Sequence, residues 1–280
     1  MTLSLPEGIK ESTRITGIFG DPVSRSLSPK MHNYAFEKLG LDYKYIPFWV
    51  KPADLKSAVE DILKLNIAGV NVTIPHKETI LKMMDWVEEN AKVIGAVNTV
   101  VNEGGRLKGY NTDGTGFMSS LEDVNFNLDP QQTAVIWGAG GAARAIAFSL
   151  SQAGVGKLIL INRTFERAKK LARDLKEAVA MDTTDKRLAD ILKKCDIFIN
   201  TSPAGLEGFP VQPSKFLSPK VFVYDALYHK TTPLLEEAGK AGARFSGGLG
   251  MLIHQGARSF SLWTRGRAPV DLMREALNDQ

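Results

Sequence analysis

The stretch "TAVIWGAGGAARAIAFSL", residues 133–150, constrains this chain more than any other. An apolar β-type run ends in Gly138-Ala139-Gly140-Gly141-Ala142, and small and aliphatic residues at helical spacing follow. Gly138, Gly140 and Ala143 stand in the G-x-G-x-x-A pattern between strand and helix. The first glycine permits the tight turn, the second lets backbone approach a pyrophosphate, and the small third residue allows the helix to pack on the strand. The same pattern is also compatible with a glycine turn that only packs the helix. A dinucleotide site predicts Gly138, Ala139, Gly140, Gly141 and Ala142 as its phosphate-binding turn. An NAD site would place an acidic residue about 20 positions on, against the ribose 2′-hydroxyl. Here the second strand ends in Asn162-Arg163-Thr164, with Arg167 one turn later. A guanidinium offers charge and paired donors to a 2′-phosphate that a carboxylate would repel. The predicted cofactor is therefore NADP. A solvated Arg163 and an Arg167 paired to Glu166 are the structural alternatives.

Residue 133 is a restart, because an earlier series of strands and helices precedes it. "RITGIFG" (14–20), "YKYIPFWV" (43–50) and "IAGVNVTI" (67–74) read as strands. Ser28 and Pro29 read as the N-cap and first position of a helix with Met31, Ala35 and Leu39 on one face and Gly40 as its stop. "PADLKSAVEDILKL" reads as a helix opened by Pro52, with Leu55, Val59, Ile62 and Leu63 inward. "NTVVNEGGRLKGYN" (98–111) reads as a hairpin about Glu103-Gly104-Gly105, and "DGTGFMSSLEDV" as a helix. After the glycine turn come strands in "KLILINR", "CDIFINTSP", "KVFVYDALY" and "RFSGG". Helices follow in "TFERAKKLARDLKEA", "TTPLLEEAGKAGA" and two C-terminal segments. Alternation of this kind predicts an α/β chain of two domains with largely parallel sheets.

In the first series the polar residues fall at strand exits and loops: Ser26, Ser28, Thr73, Lys77, Asn98 and Asp113. Open α/β sheets place ligands at the carboxyl ends of their strands. Hydroxyls, an amide and one ammonium there suit a small, oxygenated, anionic molecule. Each residue also has a plainer reading: Ser28 and Asp113 as helix caps, Asn98 as a turn residue, Lys77 as a solvated charge.

Composition sets the outer limits. The 280 residues are 44% hydrophobic and 24% charged, enough for a large core, and 35 Lys+Arg against 31 Asp+Glu leave +4 without a basic run. Neither nucleic acid nor a membrane is expected as partner. No apolar run approaches the ~18 residues of a membrane span. Without a signal-type start, and with Cys195 unable to form an internal disulfide, the expected location is the cytoplasm. His32, His76, His229 and His254 show no metal-ligand spacing, so no metal is expected. Cys195 and the stripe Met251, Leu252, Phe260, Leu262 and Trp263 read as core. A homodimer is left open.

"GDPVSRSLSPKMHN", "NVTIPHK", "GAVNTV", "GYNTDGTG", "GAGGAARA", "NRT" and "GLGMLIHQGA" occur in that order. In this the chain resembles the shikimate dehydrogenases, from about residue 14 to its C-terminus. The resemblance implies an NADP-dependent oxidoreductase interconverting 3-dehydroshikimate and shikimate in the shikimate pathway, which leads to chorismate and the aromatic amino acids. It implies an N-terminal α/β substrate domain, 1–112 completed by helices in 249–280. A Rossmann-like doubly wound NADP domain, 113–248, would lie across a cleft from it. It assigns Lys77 and Asp113 as the catalytic pair and Ser26 and Ser28 to the substrate carboxylate. Thr73, Asn98, Asp113 and Gln255 take the hydroxyls, and Tyr228 and Gly248 line the site from the cofactor side. Two places depart from the family pattern. The segment between Tyr228 and Thr232 is one residue shorter than expected, and Leu206 stands where relatives often have methionine. A quinate-oxidising relative and a ligand-sensing protein that has lost catalysis remain as alternatives. The latter is expected to lack Lys77 or Asp113, both of which are here.

Overall fold

The structure is a computed structural model that describes residues 3–203, 205–228 and 231–277. The chain divides into two compact units, Met1–Thr112 with Ile253–Gln280, and Asp113–Leu252.

The first unit begins β1 (Arg14–Gly20), α1 (Ser28–Lys38), β2 (Tyr43–Trp49), α2 (Leu55–Lys64) and β3 (Gly69–Val72). It continues β4 (Trp86–Val87), α3 (Glu89–Ile94), β5 (Thr99–Glu103) and β6 (Arg106–Tyr110). Its six strands lie in the order β2-β1-β3-β5-β6-β4. β1 runs parallel to both β2 and β3, whereas β5 is antiparallel to β3 and to β6. β4 pairs parallel to β6, so this sheet is mixed, with parallel pairing at its two ends and the antiparallel β5 between β3 and β6. Gly104 and Gly105, at φ 62° and 86°, form the two-residue turn that reverses the chain between β5 and β6. Two local expectations also change. Leu27, not Ser28, is the N-cap of α1, so Ser28 is the first helical residue, and its N–H is donated to Ser26 Oγ at 3.2 Å. In α2, Leu55, Ala58, Val59 and Ile62 are buried, while Leu63 is 43% exposed, because it falls a further 100° round the helix. Pro52 opens a separate 3₁₀ turn, Pro52–Asp54, ahead of α2.

The second unit runs α4 (Asp113–Asp123), β7 (Thr133–Trp137), α5 (Gly141–Gln152), β8 (Lys157–Ile161), α6 (Phe165–Arg173) and β9 (Ala178–Met181). Then follow α7 (Leu188–Leu192), β10 (Ile197–Asn200), β11 (Phe222–Asp225), α8 (Pro233–Lys240) and β12 (Arg244–Gly247). All of its strands pair in parallel, in the order β12-β11-β10-β7-β8-β9. That is the doubly wound arrangement, with strand order reversing between β7 and β10. Ile136, Leu160 and Ile199 are fully buried on one side of the sheet with Ile146 and Leu150 of α5. Val135, Phe198 and Val223 are buried on the other. Cys195 belongs to this second face, where burial pushes its thiol up to about 12, so it packs and does not react.

The chain ends in α9 (Leu249–Thr264) and α10 (Val270–Glu275). Met251, Leu252, Phe260 and Trp263 are buried. From Ile253 onward the segment belongs to the first unit. Trp263 Nε1 donates to the Val100 carbonyl at 2.9 Å, and a Cβ on Gly69 would stand 2.3 Å from that indole nitrogen. Gly256 serves α1 in the same way, since a Cβ there would stand 2.3 Å from Met31 Cε. Between these elements His32 is fully buried, stacked on Tyr45 at 4.4 Å and 2°.

Burial lowers the pKa of His32 from 6.5 to about 3. The folded protein keeps the ring neutral, while the unfolded chain takes up a proton below pH 6.5, so stability is lost as pH falls from 6.5 toward 3. His32→Phe keeps the stack and removes this linkage. Urea unfolding between pH 6.5 and 4 is expected to show a shallower fall in stability for the variant, by up to one proton; equal slopes would contradict the account.

Candidate active site

At the end of β7 the chain turns through Gly138, which has φ +119° and whose Cβ would stand 2.2 Å from Thr201 Oγ1. No residue but glycine fits there. Gly140 is different: its φ is −87°, and a Cβ built on it meets no heavy atom within 4 Å. Neither backbone strain nor packing within the protein accounts for this glycine. Half-exposed, Gly140, Gly141 and Ala142 form the N-terminus of the 12-residue helix α5, where unpaired N–H groups favour an anion. Ala139 and Ala143 are buried and complete the turn. This arrangement fits a dinucleotide pyrophosphate.

β8 lies beside β7 in parallel, and its exit carries Asn162, Arg163 and Thr164. Asn162 Nδ2 donates to the Thr164 carbonyl at 2.9 Å and shapes the turn into α6. Thr164 is the N-cap of α6 without using its hydroxyl as the cap. Arg163 and Arg167 are exposed, the Arg163 stem lying against Gly208, and Glu166 pairs with Lys169 at 3.6 Å. Two guanidiniums thus follow the strand next to the glycine turn, as a 2′-phosphate requires.

Tyr228 follows β11 and is half-buried. The shorter segment beyond it includes His229 and Lys230, which lie outside the described residues. Gly248 follows β12, and its missing Cβ would stand 2.3 Å from the Ala226 carbonyl, so two strand exits meet backbone to backbone. Leu206 is half-buried against the second-unit core. Asp113 is the first residue of α4 and is buried.

In the first unit the predicted residues gather at one edge of the sheet. Ser26 and Ser28 follow β1, and Thr73 and Lys77 follow the adjacent β3. β5 is antiparallel to β3, so Asn98, just before β5, comes to the same edge. The Thr73 N–H is donated to the Phe19 carbonyl at 2.9 Å and the Val97 N–H to the Lys77 carbonyl at 2.8 Å. Sequence reasoning gave His76 no role. It is buried, with Nε2 2.6 Å from the Val50 carbonyl, and it anchors the loop that carries Lys77. Nothing in its spacing announced this.

Behind the edge lies a network that the sequence did not reveal. Asn98 Oδ1 accepts the Thr112 N–H at 2.8 Å and the Thr99 hydroxyl at 3.0 Å. Its Nδ2 donates to Thr112 Oγ1 at 2.9 Å and to Gln255 Oε1 at 3.4 Å. A backbone N–H can only donate, so the Asn98 amide is fixed with its oxygen inward and its nitrogen toward Gln255. Predicted separately, Asn98 and Gln255 are brought together. Among the described residues, no group of three or more His, Cys, Asp or Glu could hold a metal. None of the described helices is long and apolar enough to cross a membrane.

Comparison with known proteins agrees with this geometry. Residues 18–100 match the shikimate dehydrogenase substrate binding domain. Residues 121–206 match shikimate/quinate 5-dehydrogenase, and 248–277 the shikimate 5′-dehydrogenase C-terminal domain. The NADP(+) shikimate dehydrogenase of Methanopyrus kandleri is 42% identical, over 98% of each chain. The chain belongs to the shikimate dehydrogenase family. Its Moorella thermoacetica relative of the same name is 45% identical, over 97% of this chain and 95% of the other. The crystal structure of the Thermus thermophilus shikimate 5-dehydrogenase with NADP(H) and shikimate matches with a TM-score of 0.82 and 34% identity, covering 94% of this chain and 98% of that one. Within this member of the shikimate dehydrogenase family, Lys77 and Asn98 fall in the substrate-domain match and Gln255 in the C-terminal match.

The two glycines of the turn should respond differently to substitution. Gly138→Ala forces a positive φ and a clash, and is expected to destabilise by about 2 kcal/mol or more. Gly140→Ala is expected to leave stability within about 0.5 kcal/mol while raising the NADP Michaelis constant on the order of tenfold, about 1.4 kcal/mol. Thermal melts and steady-state kinetics on both variants check this; a Gly140→Ala enzyme with normal NADP kinetics would contradict it.

Proposed function

We propose that this chain catalyses the reversible, NADP-dependent reduction of 3-dehydroshikimate to shikimate. The observation that carries this reading is the polar edge of the first unit, where Ser26, Ser28, Thr73, Lys77 and Asn98 leave neighbouring strands and Gln255 joins them from α9. Hydroxyl and amide groups of this kind satisfy a small molecule rich in hydroxyls, and a lysine gives one position a charge. In this reading Ser26 and Ser28 bind the carboxylate, and Thr73, Asn98, Asp113 and Gln255 bind the ring hydroxyls. Because the Asn98 oxygen is held by the Thr112 N–H, it is the amide nitrogen of Asn98 that faces Gln255 in this site.

The cofactor, when bound, would supply the hydride for reduction in its reduced form, NADPH, and accept it in oxidation as NADP+. Gly138 to Ala142 hold its pyrophosphate, and Asn162, Arg163, Thr164 and Arg167 its 2′-phosphate end. Tyr228 and Gly248 border it in this reading. The protein's own chemical task is the carbonyl oxygen of the substrate, which gathers negative charge as its carbon is reduced. Lys77 stabilises that charge and delivers a proton to the oxygen; in the reverse direction it receives the hydroxyl proton. Asp113 is its acidic counterpart. His76, tied to the Val50 carbonyl, limits the freedom of the loop from which Lys77 acts.

Since the charge on that oxygen exists mainly in the transition state, removing the ammonium should lower turnover far more than binding. Lys77→Ala is expected to lose on the order of 10²–10⁴ in kcat, with only a few-fold change in the shikimate Michaelis constant. Asp113→Asn should be severely impaired, and the double variant little worse than either, because groups acting as a unit are non-additive. Steady-state kinetics with circular dichroism on the three proteins decides it. A Lys77→Ala enzyme with normal turnover and weakened binding would make Lys77 an anchor and move the proton step elsewhere.

A further inference from the structure

Ser259 lies on α9 one turn beyond Gln255 and is fully buried. Serine is a poorer helix former than alanine, and burying a hydroxyl is unfavourable unless it is paired. Here it is fully paired. Ser259 Oγ donates to the Gln255 carbonyl at 3.0 Å and accepts Asn71 Nδ2 at 2.9 Å. It also lies 2.8 Å from Thr99 Oγ1 and 3.3 Å from Thr112 Oγ1.

Its three side-chain partners share one property: each hydrogen-bonds to Asn98. Asn71 Nδ2 donates to the Asn98 carbonyl at 3.2 Å, the Thr99 hydroxyl donates to Asn98 Oδ1, and Thr112 Oγ1 accepts from Asn98 Nδ2. A carbonyl can only accept, so the Asn98 carbonyl fixes the Asn71 amide with its Nδ2 on the side of Ser259 and its Oδ1 toward Tyr45, whose OH donates to it at 2.8 Å. One serine oxygen therefore touches three side chains that brace Asn98, and the carbonyl of Gln255 as well.

We propose that Ser259 is a positioning residue for the substrate site, holding the Asn98 amide, and Gln255 beside it, in the orientation that sets their side chains against the substrate hydroxyls. Ser259 itself does not touch the substrate. The proposal rests on the reading of Asn98 as a substrate-binding group, and the test separates the two.

Ser259→Ala, Asn98→Ala and the double variant are compared in steady-state assays, with shikimate and NADP varied in turn. Loss of the hydroxyl is expected to raise the shikimate Michaelis constant about fivefold, the size of one hydrogen bond, and to change that for NADP less than about twofold. In the Asn98→Ala background the same substitution should add less than about twofold, because the group it positions is gone. Thr99→Val, nearly isosteric, breaks the same link and should give the same selective rise, which keeps the test decisive if Asn98→Ala does not fold. Unchanged shikimate kinetics in Ser259→Ala, equal rises for both ligands, or full additivity with Asn98→Ala would each overturn the proposal. Asn98→Ala with normal shikimate kinetics would instead remove the substrate-site reading on which it stands.

Discussion

Asn71 is a polar side chain inside a buried strand, and much of the first unit is arranged around satisfying it. An unpaired buried amide costs about 1–3 kcal/mol, so each of its polar atoms must find a partner. Tyr45 of β2 supplies the donor for its oxygen, and Thr99 of β5 and Ser259 of α9 accept from its nitrogen. That requirement draws a strand edge and a C-terminal helix to one point. The indole of Trp263 on Val100 and the close approach of Gly256 to Met31 belong to the same seating of α9, beside the stack of His32 on Tyr45. The amides of Asn98 and Gln255, which we propose meet the substrate, are bonded to one another beside this interior.

The second unit depends on a simpler constraint, the geometry of a parallel sheet. Its strands all point their carboxyl ends one way, and strand order reverses beside β7. Gly138, Arg163, Thr201 and Tyr228 therefore reach the same edge from separate parts of the sequence. Within that edge, Gly138 and Gly140 divide the work. One is required by the protein's own backbone and by Thr201; the other leaves space that the protein does not fill.

The sequence disclosed whatever depended on short-range pattern. β7, its glycine turn and α5 were legible because strand, turn and helix chemistry fall in one unbroken run. The β5–β6 hairpin was legible from Gly104-Gly105, and α8 from Thr232-Pro233, where the Thr232 hydroxyl does accept the Leu235 N–H at 3.4 Å. β4, α3, β9 and α7 went unread, being two to six residues long and too short for a period to show. β9 is also a sheet edge, with Val179 48% exposed, so its alternation is blurred. The capping role expected of Ser28 failed because Leu27 precedes the helix in an already helical conformation and Ser26 takes the Ser28 N–H. Site residues at strand exits could be named one by one. The bracing of Asn98 by Asn71, Thr99, Thr112 and Ser259 could not, because it joins residues up to 188 positions apart in the chain.

The central claim is that two ligand-binding edges on one chain, one for a hydroxylated acid and one for a phosphorylated dinucleotide, make an NADP-dependent shikimate dehydrogenase. The direct measurement is absorbance at 340 nm for the purified protein with shikimate and NADP, beside parallel reactions with quinate and with NAD. The account predicts reduction of NADP that requires shikimate, with kcat/KM at least about tenfold higher for NADP than for NAD, as expected for a lost charge-assisted contact to the 2′-phosphate. No turnover of shikimate, or turnover of quinate alone, would contradict it.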